Sequence, residues 1–536
     1  MRFDPFDYTY ASRRNVTYGL NGMVASSQPQ ASQAGIEILK KGGNAIDAAV
    51  AMAVALTVVE PTSNGIGGDA FAMVWNKAGL SGLNASGYAG ELSDALRLKK
   101  MGHDVMPPYG FQPVTVPGIP SAWIALSKKY GKLPFEELFK PAIRYAEEGF
   151  VVTATISELW KKEFEIHQKE HQEQPEFKEW FQTFAPKGRA PYAGEVWKNP
   201  VQAQTLKELA DTECESFYRG KIAEKIAAFS EKYHGNITKH DLETYDPEWV
   251  EPLCVNYRGY DVWEMPPNGH GLVVLMALNI LNGYEWEKRE CMDTYHKSIE
   301  ALKLAYADGK KYITDSRYMK VSPEQLLKKD YALQRRKMIG KQAVMPEAGD
   351  PQFGGTVYLC AADREGNMVS YIQSNYWEFG SGMVVPGTSI ALHNRGKEFS
   401  LNKEDYNYLQ PGKRPYHTII PGFLSKNGEP LGPFGVMGAY MQPQGHIQVV
   451  QNLIDFHMNP QQALNVPRWQ WVGGKKVLVE KGFPEKIRKE LEKMGHEIAI
   501  SKDTLSFGRG QIILKQENGT LIGGTEPRAD GAVLGF

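Results

Sequence analysis

The stretch that most constrains this chain runs from Asp350 to Gly387, DPQFGGTVYLCAADREGNMVSYIQSNYWEFGSGMVVPG. Gly354-Gly355 frees the backbone ahead of Thr356 from clashes that a side chain would impose. Thr356 opens an apolar, β-type run, TVYLCAA, which stops at the turn-forming Asp363-Arg-Glu-Gly-Asn367. A second strand-like run, Met368 to Gln373, follows at once. The pattern predicts a hairpin over 356–374, and a hairpin that brings its ends together sets the Thr356 hydroxyl beside that of Ser374. Pro346 to Gly355 reads as an exposed linker, where a chain is open to cutting. A cut between Gly355 and Thr356 would give Thr356 a free α-amine, which can serve its own hydroxyl as a base.

The segments ahead of this hairpin read mainly as helices. Ser32 to Lys41 has a helical pattern that Gly42-Gly43 stops. Asn44 is a good N-cap, and Asp47 suits the positive end of the helix that follows. That helix, rich in AAVAMAVAL, is apolar all round and is expected to be buried. Asn64-Gly-Ile-Gly-Gly-Asp69 then precedes the strand AFAMVW. A phosphate-binding loop would follow a strand and open a helix, and no GK[ST] is present, so the glycines read as a close backbone approach. Residues 157–182 are charged with interleaved aromatics and read as a solvated helix pair broken near Pro175. His167 and His171 lie four apart there, but no third metal ligand is evident. Beyond residue 387 strands and turns dominate. Helices before, strands mixed in and strands after imply an α/β layered architecture.

Composition excludes several classes. The 536 residues carry 61 basic against 62 acidic side chains, a net charge of −1, so no polyanionic partner such as nucleic acid is implied. The four cysteines (Cys214, Cys254, Cys291, Cys360) form no CxxC pair and read as reduced thiols. The longest apolar run, Ala48 to Val59, is too short to span a bilayer, and the opening MRFDPFDYTYASRRN lacks a signal peptide's apolar core. Cytoplasmic placement without a membrane partner is the resulting expectation.

Many separate blocks in one order, GGNAIDAAVA, GIGGDAF, GGTVYLCAADREGN, FGSGMVVPGT, GKRPYHTIIP and MQPQGH, resemble the gamma-glutamyltransferase family of glutathione hydrolases and related acylases. The resemblance implies an αββα sandwich of the N-terminal nucleophile hydrolase class, made as one precursor; no cofactor is expected, and the scattered histidines disfavour a metal. It implies self-cleavage into residues 1–355 and 356–536, which stay associated and admit a dimer of such pairs. The family's spacing of nucleophilic Thr, Asp seven residues on and Gly-Asn ten residues on is met by Thr356, Asp363 and Gly366-Asn367. The second hydroxyl, eighteen positions after the nucleophile, falls on Ser374. The adjacent backbone N–H pair that holds the oxyanion falls on Gly438 and Ala439, with Ala suited only where a positive φ is not needed. The implied chemistry is attack on a substrate amide to give an acyl-enzyme, resolved by water or by an amino-acid or peptide amine.

Departures from the family pattern bear on the substrate. Ser86 occupies the position of the Arg that pairs bidentately with the glutamate α-carboxylate. The paired serines become His417-Thr418, with Thr418 keeping a hydroxyl and His417 offered as a source of charge. The acidic residue for the substrate ammonium maps to Glu398. The Asn after the second hydroxyl is shifted, so that Tyr376 takes its place with Asn375 alongside. Arg414 in the GKRP turn is the cationic candidate for an acid. The expected activity is therefore cleavage of gamma-glutamyl amides or of a non-glutamyl amide, such as a cephalosporin side chain or an oxamate-like acid. The alternative from another class is an unprocessed, non-catalytic relative.

Overall fold

The computed structural model describes residues 14–346 and 355–536, so nearly all of the linker over 346–355 lies outside the described residues. The strands of its two large sheets are, in chain order, β1 (Thr17–Gly19), β2 (Gly22–Ser26), β3 (Asp69–Asn76), β4 (Gly79–Ala85), β5 (Glu248–Val250), β6 (Leu253–Tyr257) and β7 (Tyr260–Glu264). After the linker come β8 (Gly355–Asp363), β9 (Met368–Tyr376), β10 (Gly422–Lys426), β11 (Glu429–Met437), β12 (Arg509–Lys515), β13 (Leu521–Thr525) and β14 (Ala532–Gly535). The first sheet has the order β14-β2-β8-β9-β3-β4-β5 and the second β1-β13-β12-β11-β10-β7-β6. The predicted hairpin is β8–β9, at the centre of the first sheet, and its two strands pair antiparallel. Both sheets combine strands from before and after residue 355: in the first, β8 lies between β9 and β2, and β9 pairs with β3.

The sheets pack face to face where side-chain size permits. Gly435 of β11 sits against Tyr358 of β8, where an added Cβ would come within 2.5 Å of the ring. Trp75 stacks on Phe423 across the same interface, with ring centroids 5.6 Å apart. Helices α1 (Pro29–Lys40) and α2 (Ala45–Val59) cover the outer face of the first sheet. Gly271–Leu281 and Gln442–Ile454 cover the second, with Met292–Tyr312 packed on the former of these. The result is the layered α/β architecture that the segment pattern implied, in the αββα form that the family resemblance implied.

Helix α2 is buried at every position, because it runs between α1 and the hairpin. Its start is fixed by a capping box: the Asn44 side chain accepts from the N–H groups of Ile46 and Asp47, and Asp47 Oδ2 accepts from Asn44 N–H at 3.0 Å. Asp363, at the hairpin turn, adds a fourth contact by accepting the Ala45 N–H at 2.9 Å. The same carboxylate accepts the N–H groups of Glu365 and Asn367 and the Asn367 side-chain amide. The spacing from Thr356 to Asp363 and Asn367 is therefore a structural device. It closes the turn and anchors the hairpin on the helix.

The helix Ala154–Glu170 corrects one expectation. Glu163, His167 and His171 are buried, not solvated, because their four-residue spacing puts them on one face. His171 stacks on Phe177 at 4.1 Å, and His167 packs on Trp180 at 4.3 Å. Neither imidazole has a hydrogen-bond partner among the described residues. Burial, with a smaller contribution from His171, pushes the His167 pKa down to about 3. A histidine depressed on folding stabilises fully above its unfolded pKa near 6.5, and that stability is lost as pH falls toward 3. His167→Leu is expected to remove about 1.4 kcal/mol per pH unit from the slope of unfolding free energy between roughly pH 4 and 6. Urea titrations across that range measure it, and an unchanged slope contradicts the assignment.

Buried charge also ties down the far end of the chain. Glu526 Oε2 accepts from Arg468 Nη2 at 2.8 Å and from Gly510 N–H at 2.8 Å, and its Oε1 accepts from Arg528 Nη1 at 2.6 Å. Arg528 also pairs with Glu480 at 2.5 Å. Arg468 Nη1 donates to the carbonyls of Phe507 and Gly508 at 3.0 and 2.7 Å.

Candidate active site

Thr356 sits on a bulge at the start of β8: Gly355 pairs with Tyr376 and Val357 with Gln373, so the register slips by one across it. The bulge turns the buried Thr356 hydroxyl toward Ser374, to which it donates at 3.2 Å. Ser374 Oγ also accepts the Tyr376 N–H at 2.7 Å, and Tyr376 takes a φ of +75° to allow it. Asp69 lies opposite Ser374 on β3. The glycine loop ahead of it is packed as expected of a close approach, since a Cβ at Gly68 would meet the Ser374 carbonyl at 2.5 Å.

The segment after residue 393 is drawn to this end of the hairpin. Asn394 N–H donates to the Asn375 carbonyl at 3.2 Å, and Asn394 Oδ1 accepts the Trp377 N–H at 3.1 Å. A 3-10 turn, Arg395–Glu398, follows and delivers two charged side chains. Glu398 accepts the Tyr376 hydroxyl on one oxygen and the Tyr440 hydroxyl, at 2.5 Å, on the other. Tyr440 follows Gly438 and Ala439 directly, so Glu398 links the hairpin end to that turn. Gly438 has φ +135°, and Ala439 has φ +46°. Position 439 thus does adopt a positive φ. It lies in the left-handed helical well, which an Ala enters at roughly 1–2 kcal/mol. Among the described residues neither N–H of this pair donates a hydrogen bond.

Arg395 escaped the sequence reading, since an Arg in Asn394-Arg-Gly-Lys looks like a solvated turn. It is wholly buried, donates to Thr418 Oγ1 at 2.6 Å and lies 4.0 Å from the Tyr376 ring centroid. Asp69, His393 and His417 complete this buried polar cluster. Burial, only partly offset by Arg395, pushes the Asp69 carboxyl up to about 7. His417 accepts the Ile419 N–H on Nδ1 at 3.3 Å and meets Asp69 Oδ2 through Nε2 at 3.0 Å, which fixes the Nε2–H tautomer.

Three further expectations change. Burial and the nearby Arg395 hold His417 well below the usual imidazole range, so it supplies a hydrogen bond to Asp69 and not a charge. Arg414 is spent elsewhere: Nη1 pairs with Glu248 at 2.5 Å and Nε donates to the Ser86 carbonyl at 3.1 Å. The Ser86 hydroxyl donates to Asn84 Oδ1 at 2.7 Å. Asn375, by strand alternation, faces away from Ser374 and lies against Gly65 and Gly68.

For a metal, His296, Glu300 and His496 bring ligand atoms within 4.8 Å of one another. The Lys303 ammonium lies 2.7 Å from Glu300 Oε1, and Glu300 Oε2 accepts the Val344 N–H at 3.1 Å. Glu300 is thereby neutralised, and the cluster ties residue 344 to the helix Met292–Tyr312.

Comparison with known proteins agrees with this geometry. A family model described as Gamma-glutamyltranspeptidase matches residues 31–536. The solved structure of a cephalosporin acylase from Bacillus halodurans superposes with a TM-score of 0.97 at 57% identity, covering 100% of this chain and 99% of that one. The Glutathione hydrolase-like YwrD proenzyme of Bacillus subtilis (strain 168) is 36% identical over 97% of this chain and 99% of its own length. The Oxamate amidohydrolase proenzyme of Klebsiella pneumoniae is 34% identical over 96% and 98%.

Proposed function

We propose, from the premise that the chain belongs to the gamma-glutamyltranspeptidase family, that it cuts itself between Gly355 and Thr356 and then hydrolyses or transfers acyl groups from amides. The observation that carries this reading is the buried Thr356 hydroxyl, set on a bulge and bonded to Ser374. In the precursor the Thr356 oxygen attacks the Gly355 carbonyl carbon. The C–N bond breaks as the acyl group moves from nitrogen to oxygen, and the proton from the hydroxyl ends on the new α-amine. Water then hydrolyses the ester, leaving a carboxylate on Gly355 and a free amine and hydroxyl on Thr356.

The amine has a reference pKa of about 7.7–8.0, so near neutral pH it takes the hydroxyl proton as that oxygen attacks a substrate amide. It then returns the proton to the leaving amine. Ser374 holds the Thr356 oxygen in place, and the N–H groups of Gly438 and Ala439 receive the oxyanion. Water resolves the acyl-enzyme to the acid, and an amino-acid or peptide amine resolves it to a new amide. The relatives' names, with proenzyme, acylase, glutathione hydrolase and amidohydrolase among them, support the class. Four cysteines free of disulfides support the cytoplasm as its place. Sequencing the smaller fragment tests the reading: it should begin Thr-Val-Tyr-Leu-Cys, and any other start overturns it.

The oxyanion assignment has its own test. A φ of +135° at Gly438 is closed to other residues, so Gly438→Ala must swing both donors away. Turnover is expected to fall about 10²–10³-fold. Ala439→Gly removes a left-handed Ala and should hold thermal stability to within about 1 kcal/mol. Equal activity of Gly438→Ala and wild type would remove the pair from the mechanism.

A further inference from the structure

Arg395 is wholly buried, yet its hydrogen bonding is half complete. Nη1 donates to Thr418, while Nε and Nη2 find no acceptor among the described residues. These two nitrogens share one edge of the guanidinium, and that edge is the fork that matches both oxygens of a carboxylate. A buried cation with its fork idle is costly unless something completes it. The nearby acids are already occupied: Asp69 meets His417 Nε2 and Gly87 N–H, and Glu398 accepts two tyrosine hydroxyls. Among the described residues no carboxylate forms an ion pair with Arg395.

The geometry points to Arg395 as the anchor for a carboxylate on the acyl group of the substrate, so that the enzyme takes monoamides of short dicarboxylic acids. The inference rests on the proposed Thr356 nucleophile and adds the acyl class to it. Tyr376 supplies the distance argument. Its ring lies on the guanidinium, its N–H bonds Ser374, and its backbone pairs with Gly355. The fork therefore sits one aromatic residue from the attacking oxygen, which suits an acyl chain of a few carbons. An α-ammonium on that chain is not required, because Glu398, the acid mapped to that role, is held by Tyr376 and Tyr440.

Self-cleaved wild type, Arg395→Gln and Arg395→Lys would be assayed on glutaryl, butyryl and gamma-glutamyl p-nitroanilides. Wild type is expected to favour glutaryl over butyryl about 100-fold in kcat/KM, mainly through KM, with gamma-glutamyl no better than glutaryl. In Arg395→Gln that ratio collapses toward one, and Arg395→Lys keeps part of it, since a point charge lacks the fork. Calorimetry on wild type alone provides a second reading: free glutarate binds and butyrate does not. A wild-type ratio near one, a ratio that survives Arg395→Gln, a gamma-glutamyl preference, or equal binding of the two free acids overturns the proposal. Failure of the underlying reading looks different: an uncut chain, inactive on all three amides.

Discussion

Thr356→Ala leaves the protein as a single 60.0 kDa chain, where wild type separates on a denaturing gel into pieces of about 40 and 20 kDa, apportioned by residue number. Amide turnover falls with it by about 10⁴-fold or more, because the oxygen that cuts the chain is also the one that carries the acyl group. The variant remains interpretable. The hydrogen bond from Thr356 to Ser374 is worth of the order of 1 kcal/mol, and the hairpin is held on both sides by sheet partners. Thr356→Ser supplies the same oxygen and should still split and still turn over. Cleavage after Gly355 in the Ala variant, read by mass spectrometry, would put the scissile chemistry on another residue and end the account.

The second large effect is on stability. Glu526→Ala is expected to cost about 3–5 kcal/mol, the usual penalty for removing one partner of a buried ion network. Glu526 is wholly buried between Arg468 and Arg528, and its loss leaves two guanidinium groups facing each other out of water. Burial pushes its carboxyl up, but the two arginines outweigh that and hold it below the usual range. A carboxyl depressed on folding stabilises above its unfolded pKa, and that contribution is lost as the solution is acidified through the folded value. The gap between wild type and Glu526→Ala in chemical denaturation should therefore be full at neutral pH and narrow in acid. The damage should also reach the active site, since Arg468 holds the Gly508 carbonyl, and Gly508 Cα lies 3.2 Å from where a Cβ on Gly438 would stand. A variant as stable as wild type at pH 7 would show that the network is neutral to the fold.

What could be read in advance follows from the range of each interaction. The β8–β9 hairpin and α2 are set by local signals: glycines and a turn in one case, a cap and an unbroken apolar run in the other. The layered sandwich followed from the order of such segments and from the family resemblance. The second role of Asp363 was hidden, because its contact with Ala45 spans more than 300 residues. Arg395 and Arg414 show the limit most clearly. Both sit in short polar turns with glycine and lysine nearby, and nothing local says which one is buried. The fold decides it: Asn394 is pulled onto the end of β9, taking Arg395 inside, while Arg414 meets the exposed Glu248. His167 was misjudged for a related reason: Glu165 and Lys169, two residues to either side, are exposed, while the charged Glu163 is buried on its own face.

The mixing of early and late strands within both sheets means that covalent order along the chain is not what holds the sandwich together. Phe536 already stands beside the turn between β1 and β2, its carbonyl accepting the N–H groups of Leu20 and Asn21 at 2.8 and 2.7 Å. A gene re-ordered to start at Thr356, run to Phe536, cross a short linker and finish at Gly355 would encode every one of these strand pairings. Such a circular permutant would be translated with its threonine already in first place once the initiator methionine is removed, making the enzyme without the peptide-bond rearrangement.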